Sequence, residues 1–232
     1  MNINPGFLPR AFVECLSISH KALNNLMAVQ METSALLNLA RTRNGERFLT
    51  SEAEWALLLD SDMTWMPESI IRLMRTAKEK KAQVVSGLTF MENKGRIIPH
   101  AYALIPQEGG DGKPVLSPYA VLPSISEPFK VEACGGACLL VHRDAYRAVY
   151  EMTKGSTSYY WQEEEFSPRN HKMKGEDIVF SERLRAAGFD IWYEPRAIFP
   201  HTKKPDLIGM EEYVEFLDRY HIEHPYDQFR RK

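Results

Sequence analysis

The sequence predicts an α/β fold, a mostly parallel central sheet flanked by helices. Three observations carry that expectation. Short apolar runs, Trp55–Leu59 and residues 83–88, have the length and continuity of strands buried on both faces. Segments with helical apolar spacing alternate with these runs, as in units that build parallel sheets. The first run also ends on a carboxylate pair, Asp60-Ser61-Asp62, at the strand end where open α/β sheets bind ligands.

The elements follow in order. Residues 7–20 carry Phe7, Leu8, Phe12, Cys15, Leu16 and Ile18 at helical spacing. Leu26-Met27-Ala28-Val29 reads as a short buried strand. A helix over residues 33–49, capped by Thr33 or Ser34, buries Leu36, Leu37, Leu39, Ala40, Phe48 and Leu49, and its basic face carries Arg41, Arg43 and Arg47. After Trp55–Leu59, Pro67-Glu68 opens a helix: proline suits the first position and an acid suits the positive end of the dipole. That helix buries Ile70, Ile71, Leu73, Met74 and Ala77 and ends in Lys78-Glu79-Lys80-Lys81, a solvated terminus. Residues 83–88 form the next buried strand.

The middle of the chain is less regular. Residues 97–104 read as a strand, and the Gly/Pro/Asp-rich stretch 107–118 as a surface hairpin or excursion. Residues 131–141 read as one strand interrupted by Gly135-Gly136, a bulge or a place where a ligand nears the backbone. Arg143-Asp144 starts a helix through Tyr150. Residues 153–174, with Tyr159, Tyr160 and Trp161, are too long for a simple connector and read as a lid or binding loop. Gly175-Glu176-Asp177 starts a helix that stops at Gly188. A strand at 189–193, a segment 197–199 leading to Pro200-His201, and a helix at 211–220 complete the chain.

Composition sets outer bounds. With 44% hydrophobic and 26% charged residues, 232 residues suit one soluble globular domain, 1–232. A net charge of −2 gives no electrostatic case for nucleic acid or a membrane surface. Cys15, Cys134 and Cys138 are an odd count without zinc-site spacing and read as reduced thiols. No signal peptide and no membrane-length apolar run is present, so the expected location is cytoplasmic.

Strand geometry puts Asp60 and Asp62 on the same side of the backbone, about 7 Å apart along the chain. Like charges so placed call for a cation or hydrogen bonds. A divalent metal shared with substrate phosphates would serve. The alternative is that Asp-Ser-Asp is simply a turn.

Four features stand in order: the carboxylate pair after a strand, Gly135-Gly136-Ala137-Cys138-Leu139-Leu140-Val141-His142-Arg143, Gly175-Glu176-Asp177-Ile178-Val179-Phe180 running on through Gly188-Phe189, and the late His201. This order resembles nucleotide-sugar-dependent glycosyltransferases of the GT-A fold, especially family 2 and its relatives. Ala40-Arg41 and Asn44 also fit that pattern, and the resemblance spans roughly residues 33–201. It implies a single GT-A-like, Rossmann-related domain, with a nucleotide and metal half at about 1–100 and an acceptor half at about 101–232. It implies sugar transfer from a nucleoside-diphosphate sugar to an acceptor hydroxyl on a glycan, small molecule, protein or nucleic acid. In this reading Asp62 and His201 ligate the metal and Asp60 faces the ribose or metal shell. An imidazole ligand favours Mn²⁺ over Mg²⁺. Asp177, with Glu176, is the acceptor-side acid; Gly135 and Gly136 let donor or acceptor lie on the backbone; Arg41 either meets the nucleotide or lies on a solvated face. Members usually open with an apolar strand and a loop that contacts the base, whereas this chain opens Met1-Asn2-Ile3-Asn4-Pro5-Gly6, so the resemblance does not name the nucleotide.

Two other readings remain. Asp60-Ser61-Asp62-Met63-Thr64 fits the nucleophile loop of haloacid-dehalogenase-like phosphatases, with Asp60 as nucleophile and Ser86 as second motif. A non-catalytic nucleotide-binding module is the other.

Overall fold

In a computed structural model the described residues are 9–24, 26–32, 37–93, 95–105, 114–154, 165–167, 172–202 and 207–220. The elements run α1 (Arg10–Ala22), α2 (Leu37–Thr50), β1 (Trp55–Leu59), α3 (Pro67–Lys80), β2 (Val84–Leu88), β3 (Phe90–Asn93), β4 (Arg96–Pro99), β5 (Ala101–Ile105), β6 (Val115–Pro118), β7 (Phe129–Val131), β8 (Ala133–Cys134) and β9 (Cys138–His142). They continue with α4 (Arg143–Thr153), β10 (Glu165–Ser167), β11 (Lys172–Lys174), α5 (Glu176–Ala186), β12 (Ile191–Ile198), β13 (His201–Thr202), β14 (Leu207–Ile208) and α6 (Met210–Tyr220).

The fold is α/β, built on a five-stranded sheet in the order β1-β9-β2-β12-β7. Its strand polarity differs from expectation. β2 and β12 pair in parallel, but β1–β9, β9–β2 and β12–β7 are antiparallel. β1, β2 and β12 do share one direction; β9 lies between β1 and β2 and runs the other way. Continuous apolar runs report burial on both faces, and that burial is real here, but they carry no information on polarity.

Period-two alternation distributes the strands between two cores. Val84, Leu139 and Val141 face one cluster with Phe48, Tyr146, Phe180 and Tyr193. Val85, Cys138 and Leu140 face another with Phe12, Trp65, Leu73 and Phe199. The apolar β1 divides likewise, Ala56 and Leu58 to the first and Trp55, Leu57 and Leu59 to the second. α1 is tied to the second core by Trp65, whose ring meets Phe12 edge-on at 5.1 Å and whose Nε1 donates to Ser19 Oγ at 2.8 Å.

Several local expectations are corrected. Residues 26–29 form no strand: Leu26 is 86% exposed and Val29 49%. Only Met27 of these apolar residues turns toward the second core. The segment lies instead along α2, through Gln30 Nε2 to Asn44 Oδ1 at 3.2 Å and Arg47 to Glu32 at 2.7 Å. Ile71 and Met74 stand outward on α3, because Ile70, Leu73 and Ala77 already fill its sheet-facing stripe. Residues 131–141 are not one interrupted strand but β7, β8 and β9, which belong to two different sheets. The strand expected at 97–104 is two, β4 and β5, with His100 between them. β5 and β6 do pair as a hairpin around 106–113, which lie outside the described residues. In the 153–174 stretch, β10 and β11 pair as a two-stranded ribbon; Tyr159, Tyr160 and Trp161 lie outside the described residues, as do Thr33 and Ser34. α5 ends as its sequence predicts, with Gly188 at φ +91° just beyond the cap.

The shared direction of β1, β2 and β12 positions the site. Their carboxyl ends place Asp60, Thr89-Phe90 and Pro200-His201 at one edge of the sheet, and the amino end of the opposed β9 brings Gly135-Gly136-Ala137 to the same edge.

Candidate active site

Past Leu59 the chain turns rather than continuing as strand. Met63 N donates to Asp60 O at 3.2 Å, closing a four-residue β-turn over Asp60-Ser61-Asp62-Met63. The backbone of Asp60 remains fixed to the sheet, its N–H donating to Ala137 O at 3.1 Å. The two carboxylates therefore meet different partners instead of sharing a side.

Asp60 faces α2. Arg41 Nη2 donates to Asp60 Oδ1 at 3.0 Å and Oδ2 at 3.3 Å, and Arg41 Nη1 donates to Glu176 Oε1. The Arg41 side chain is only 8% exposed, so the solvated-face reading of this residue is corrected: it is a buried cation between two acids from β1 and α5. Burial works against its charge, but Asp60, Glu176 and Asp177 outweigh that and hold the guanidinium above its ordinary value. Burial likewise raises the Glu176 carboxyl against the opposing pull of Arg41. Asp177 is also raised, by burial, against Arg41 and the backbone N–H groups of Ile178 and Gly136. Ile178 N reaches Asp177 Oδ1 at 2.8 Å. Glu176 and Asp177 occupy the first turn of α5, where the helix dipole favours negative charge.

Asp62 faces the end of β12. His201 Nε2 lies 2.7 Å from Asp62 Oδ2, and His201 Nδ1 lies 3.1 Å from Phe90 O. The backbones are linked as well: Met63 bridges His201, Thr202 N donates to Asp62 O at 2.7 Å, and Thr64 N donates to Pro200 O at 2.9 Å. The approach of 200–202 follows from a large irregularity in β12, where Glu194 pairs Gly87 and Ile198 pairs the very next residue, Leu88. The three extra residues are pinned by the buried Glu194, which accepts from Thr76 Oγ1 at 2.6 Å and from Arg196 N at 2.9 Å.

The structure thus brings Arg41, Asp60, Glu176, Asp177 and Gly136 into one cluster and Asp62 with His201 into another, joined by the turn. Among the described residues no group of three or more His, Cys, Asp and Glu is arranged to hold a metal ion, since Asp60 is turned to Arg41. The space beside each glycine is filled from within: a Cβ on Gly135 would stand 2.5 Å from His100 Nδ1, and one on Gly136 would strike the Arg41 guanidinium. His100, the Phe90 carbonyl and Glu194 carry no spacing or motif that sequence reasoning could have used. Cys134 and Cys138 are buried as expected, and burial pushes the Cys134 thiol up to about 12.

A family match now joins this geometry: residues 22–215 fit the family described as Glycosyltransferase like family 2. The chain belongs to that family. Among solved structures, this glycosyltransferase-like chain is similar to A197 from STIV, with a TM-score of 0.52 and 13% identity over 86% of this chain and 87% of that one. It is also similar to GalNAc-T7, solved with UDP, GalNAc and Mn²⁺, with a TM-score of 0.44 and 16% identity. That second match covers 81% of this chain but 34% of GalNAc-T7, and it is too loose to add to the argument. The likeness to A197 concerns the fold alone. No curated protein matches the chain significantly. Among the described residues no helix is long and apolar enough to cross a membrane.

Proposed function

We propose that the chain is a metal-dependent glycosyltransferase, moving a sugar from a nucleoside-diphosphate sugar to an acceptor hydroxyl. The observation that carries the metal is the Asp62–His201 contact. The Phe90 carbonyl only accepts, so His201 Nδ1 bears a hydrogen, and Nε2 is the ring atom turned toward Asp62 Oδ2. At 2.7 Å the two atoms are spaced as hydrogen-bond partners, so a divalent ion would take them as ligands by displacing the proton they share. The Nδ1 bond is also the outer-shell support that orients a metal-ligating imidazole. The donor set therefore fits a divalent ion held by Asp62 and His201, completed by donor phosphates, and imidazole favours Mn²⁺ over Mg²⁺. When bound, the ion neutralises charge on the departing diphosphate.

The remaining roles belong to the chain. Asp60 stays in place through Arg41 and aligns the turn that presents Asp62; as a residue of the donor side it faces the ribose or the metal shell. Asp177, with Glu176 beside it, is the acceptor-side acid. The acceptor O–H proton passes to Asp177, the oxygen bonds the anomeric carbon, and the bond to the diphosphate breaks with its electron pair leaving on the nucleotide. A carboxylate raised by burial is a better base than an ordinary one, and Arg41 and the N–H contacts oppose that rise. On this reading the nucleotide and metal half is about 1–100 and the acceptor half about 101–232, with His201 contributed across that division.

The phosphatase alternative is disfavoured by the glycosyltransferase-like family match over residues 22–215. Its second motif fails too: Ser86 is buried in β2 and donates to Cys138 O at 3.2 Å, inside the sheet. A purely nucleotide-binding module would leave Asp177 idle. Calorimetric titration with Mn²⁺ and a panel of nucleoside diphosphates tests the proposal. Wild type binds nucleotide only with metal, and Asp62→Asn and His201→Ala lose that metal dependence. Unchanged metal affinity in both variants overturns it.

A further inference from the structure

The route of β12 toward His201 is held at two points by a single helix, α3. Glu194 stands opposite Gly87 and Ile198 opposite Leu88, so residues 195–197 form an excursion outside the ladder. An unbroken ladder would set Pro195 opposite Leu88 and carry His201 three residues further on, about 10 Å at the rise of a strand. Glu194 opens the excursion. It is buried, its Oε2 accepts from Thr76 Oγ1 at 2.6 Å, and its Oε1 accepts from Arg196 N at 2.9 Å and Arg196 Nε at 3.1 Å. Ile198 closes the excursion, its carbonyl accepting from Ser69 Oγ at 3.0 Å. Ser69 and Thr76 are two turns apart on one face of α3, and both are buried. Between these points the chain folds back over β2: a Cβ on Gly87 would stand 2.9 Å from Ala197 O and 2.7 Å from the Phe199 ring. Beyond Ile198 the path is bonded step by step. Phe199 N donates to Leu88 O at 2.8 Å, Thr64 N donates to Pro200 O at 2.9 Å, and the His201 ring lies between Phe90 O and Asp62.

We infer that Glu194, Thr76 and Ser69 are positioning residues for His201, fixing where the excursion starts and ends so that the imidazole reaches Asp62. This deepens the proposed metal site and rests on His201 being a ligand there. The three act through the backbone of residues 194–201. Residues 195–197 make no ladder with β2, so side chains rather than strand pairing set their path. A buried carboxylate is costly without donors, so Glu194 is stable only where Thr76 and Arg196 meet it. Ser69 then fixes the exit, three residues before His201. Both hydroxyls stand on a helix, and supports on helices or strands hold a site more tightly than supports on loops. Two polar residues on the buried side of α3 thereby acquire a purpose that core packing alone does not give them.

The test uses the full chain and two readouts. In metal-free protein with ¹⁵N-labelled histidine, the His201 Nδ1 proton is followed by NMR and assigned by its disappearance in His201→Ala. Held by the Phe90 carbonyl, it exchanges slowly with solvent in wild type. Thr76→Val and Glu194→Gln speed that exchange by about tenfold, and Ser69→Ala acts in the same direction. Thr76→Ser, which keeps the hydroxyl, exchanges as wild type does. The second readout is Mn²⁺ affinity by calorimetry. Thr76→Val and Glu194→Gln weaken it by about tenfold, the lower end of what losing an outer-shell support costs. In a His201→Ala background the same two changes have no further effect, because the imidazole they place is gone. Thr76→Val and Ser69→Ala are small enough to carry the test should Glu194→Gln fail to fold. A His201 proton as protected as wild type in both Thr76→Val and Ser69→Ala overturns the inference, as does equal weakening of Mn²⁺ binding with and without His201. Mn²⁺ affinity unchanged by His201→Ala itself would instead sink the metal reading, and the metal-free exchange would still judge the positioning.

Discussion

Replacing Arg41 with methionine removes the guanidinium that bridges Asp60 and Glu176. The change keeps the side chain's length and apolar stem, so the loss is electrostatic first. Arg41 is 8% exposed, Glu176 13% and Asp60 31% by side chain. Breaking a buried pair by removing one partner costs about 3–5 kcal/mol, and the partial exposure of Asp60 puts this case near the lower end, about 3 kcal/mol. In a chain of this size that corresponds to a Tm lower by about 6–12 °C.

The deficit depends on pH with a definite sign. The carboxyls of Glu176 and Asp177 titrate above their ordinary values of 4.5 and 3.8, chiefly because they are buried. Between the ordinary value and the raised one, the folded state holds more protons than the unfolded state, so stability rises as pH falls through that window. Arg41 is the largest influence opposing the upward shift in both groups. Its loss extends the window upward, and the Arg41→Met deficit is therefore largest above that window and narrows as pH falls through it. Differential scanning fluorimetry of wild type, Arg41→Met and Arg41→Lys across that range is the assay. Lysine, a point charge without the planar fork, restores only part of the stability. A deficit constant with pH, or one below about 1 kcal/mol, which is the scale of an exposed pair, would refute the assignment of Arg41 as a buried clamp.

Two more outcomes follow from the same site. Asp177→Asn lowers transfer by about 10²–10⁴-fold while metal-dependent nucleotide binding, followed by calorimetry, is retained; loss of both would place Asp177 on the donor side. Gly136→Ala drives a methyl group into the Arg41 guanidinium and lowers stability by about 1–3 kcal/mol, measured by urea unfolding; wild-type stability would show that the guanidinium moves aside without consequence.

What the sequence made legible was local. Pro67-Glu68 and Gly188 mark helix ends because their backbone requirements act within one turn. The apolar run of β1 and the acids after it were readable for the same reason. The polarity of β9 was not, since the insertion of that strand between β1 and β2 depends on where the chain returns from β8. Residues 26–29 misled because four apolar residues look buried in sequence, yet β1 keeps an edge position and they make no ladder with it. Arg41 shares its helix with Arg43 and Arg47, and only the three-dimensional approach of β1 and α5 shows why it alone among them meets two acids.

The β-turn at Asp60–Met63 gives the two half-sites a mechanical relation. Asp60, at its first position, is tied to α2 and through Arg41 to the start of α5; Asp62, two residues on, is tied to His201 and through it to β12 and the Phe90 carbonyl. A turn closed by its own hydrogen bond transmits displacement at one end to the other, because its inner residues have little freedom to absorb it. The proposed donor-side pair and the proposed acceptor-side acids are thus linked by one short piece of backbone. The Asp-Ser-Asp segment is a turn whose acids diverge, one tied through Arg41 to the start of α5 and the other through His201 to the end of β12.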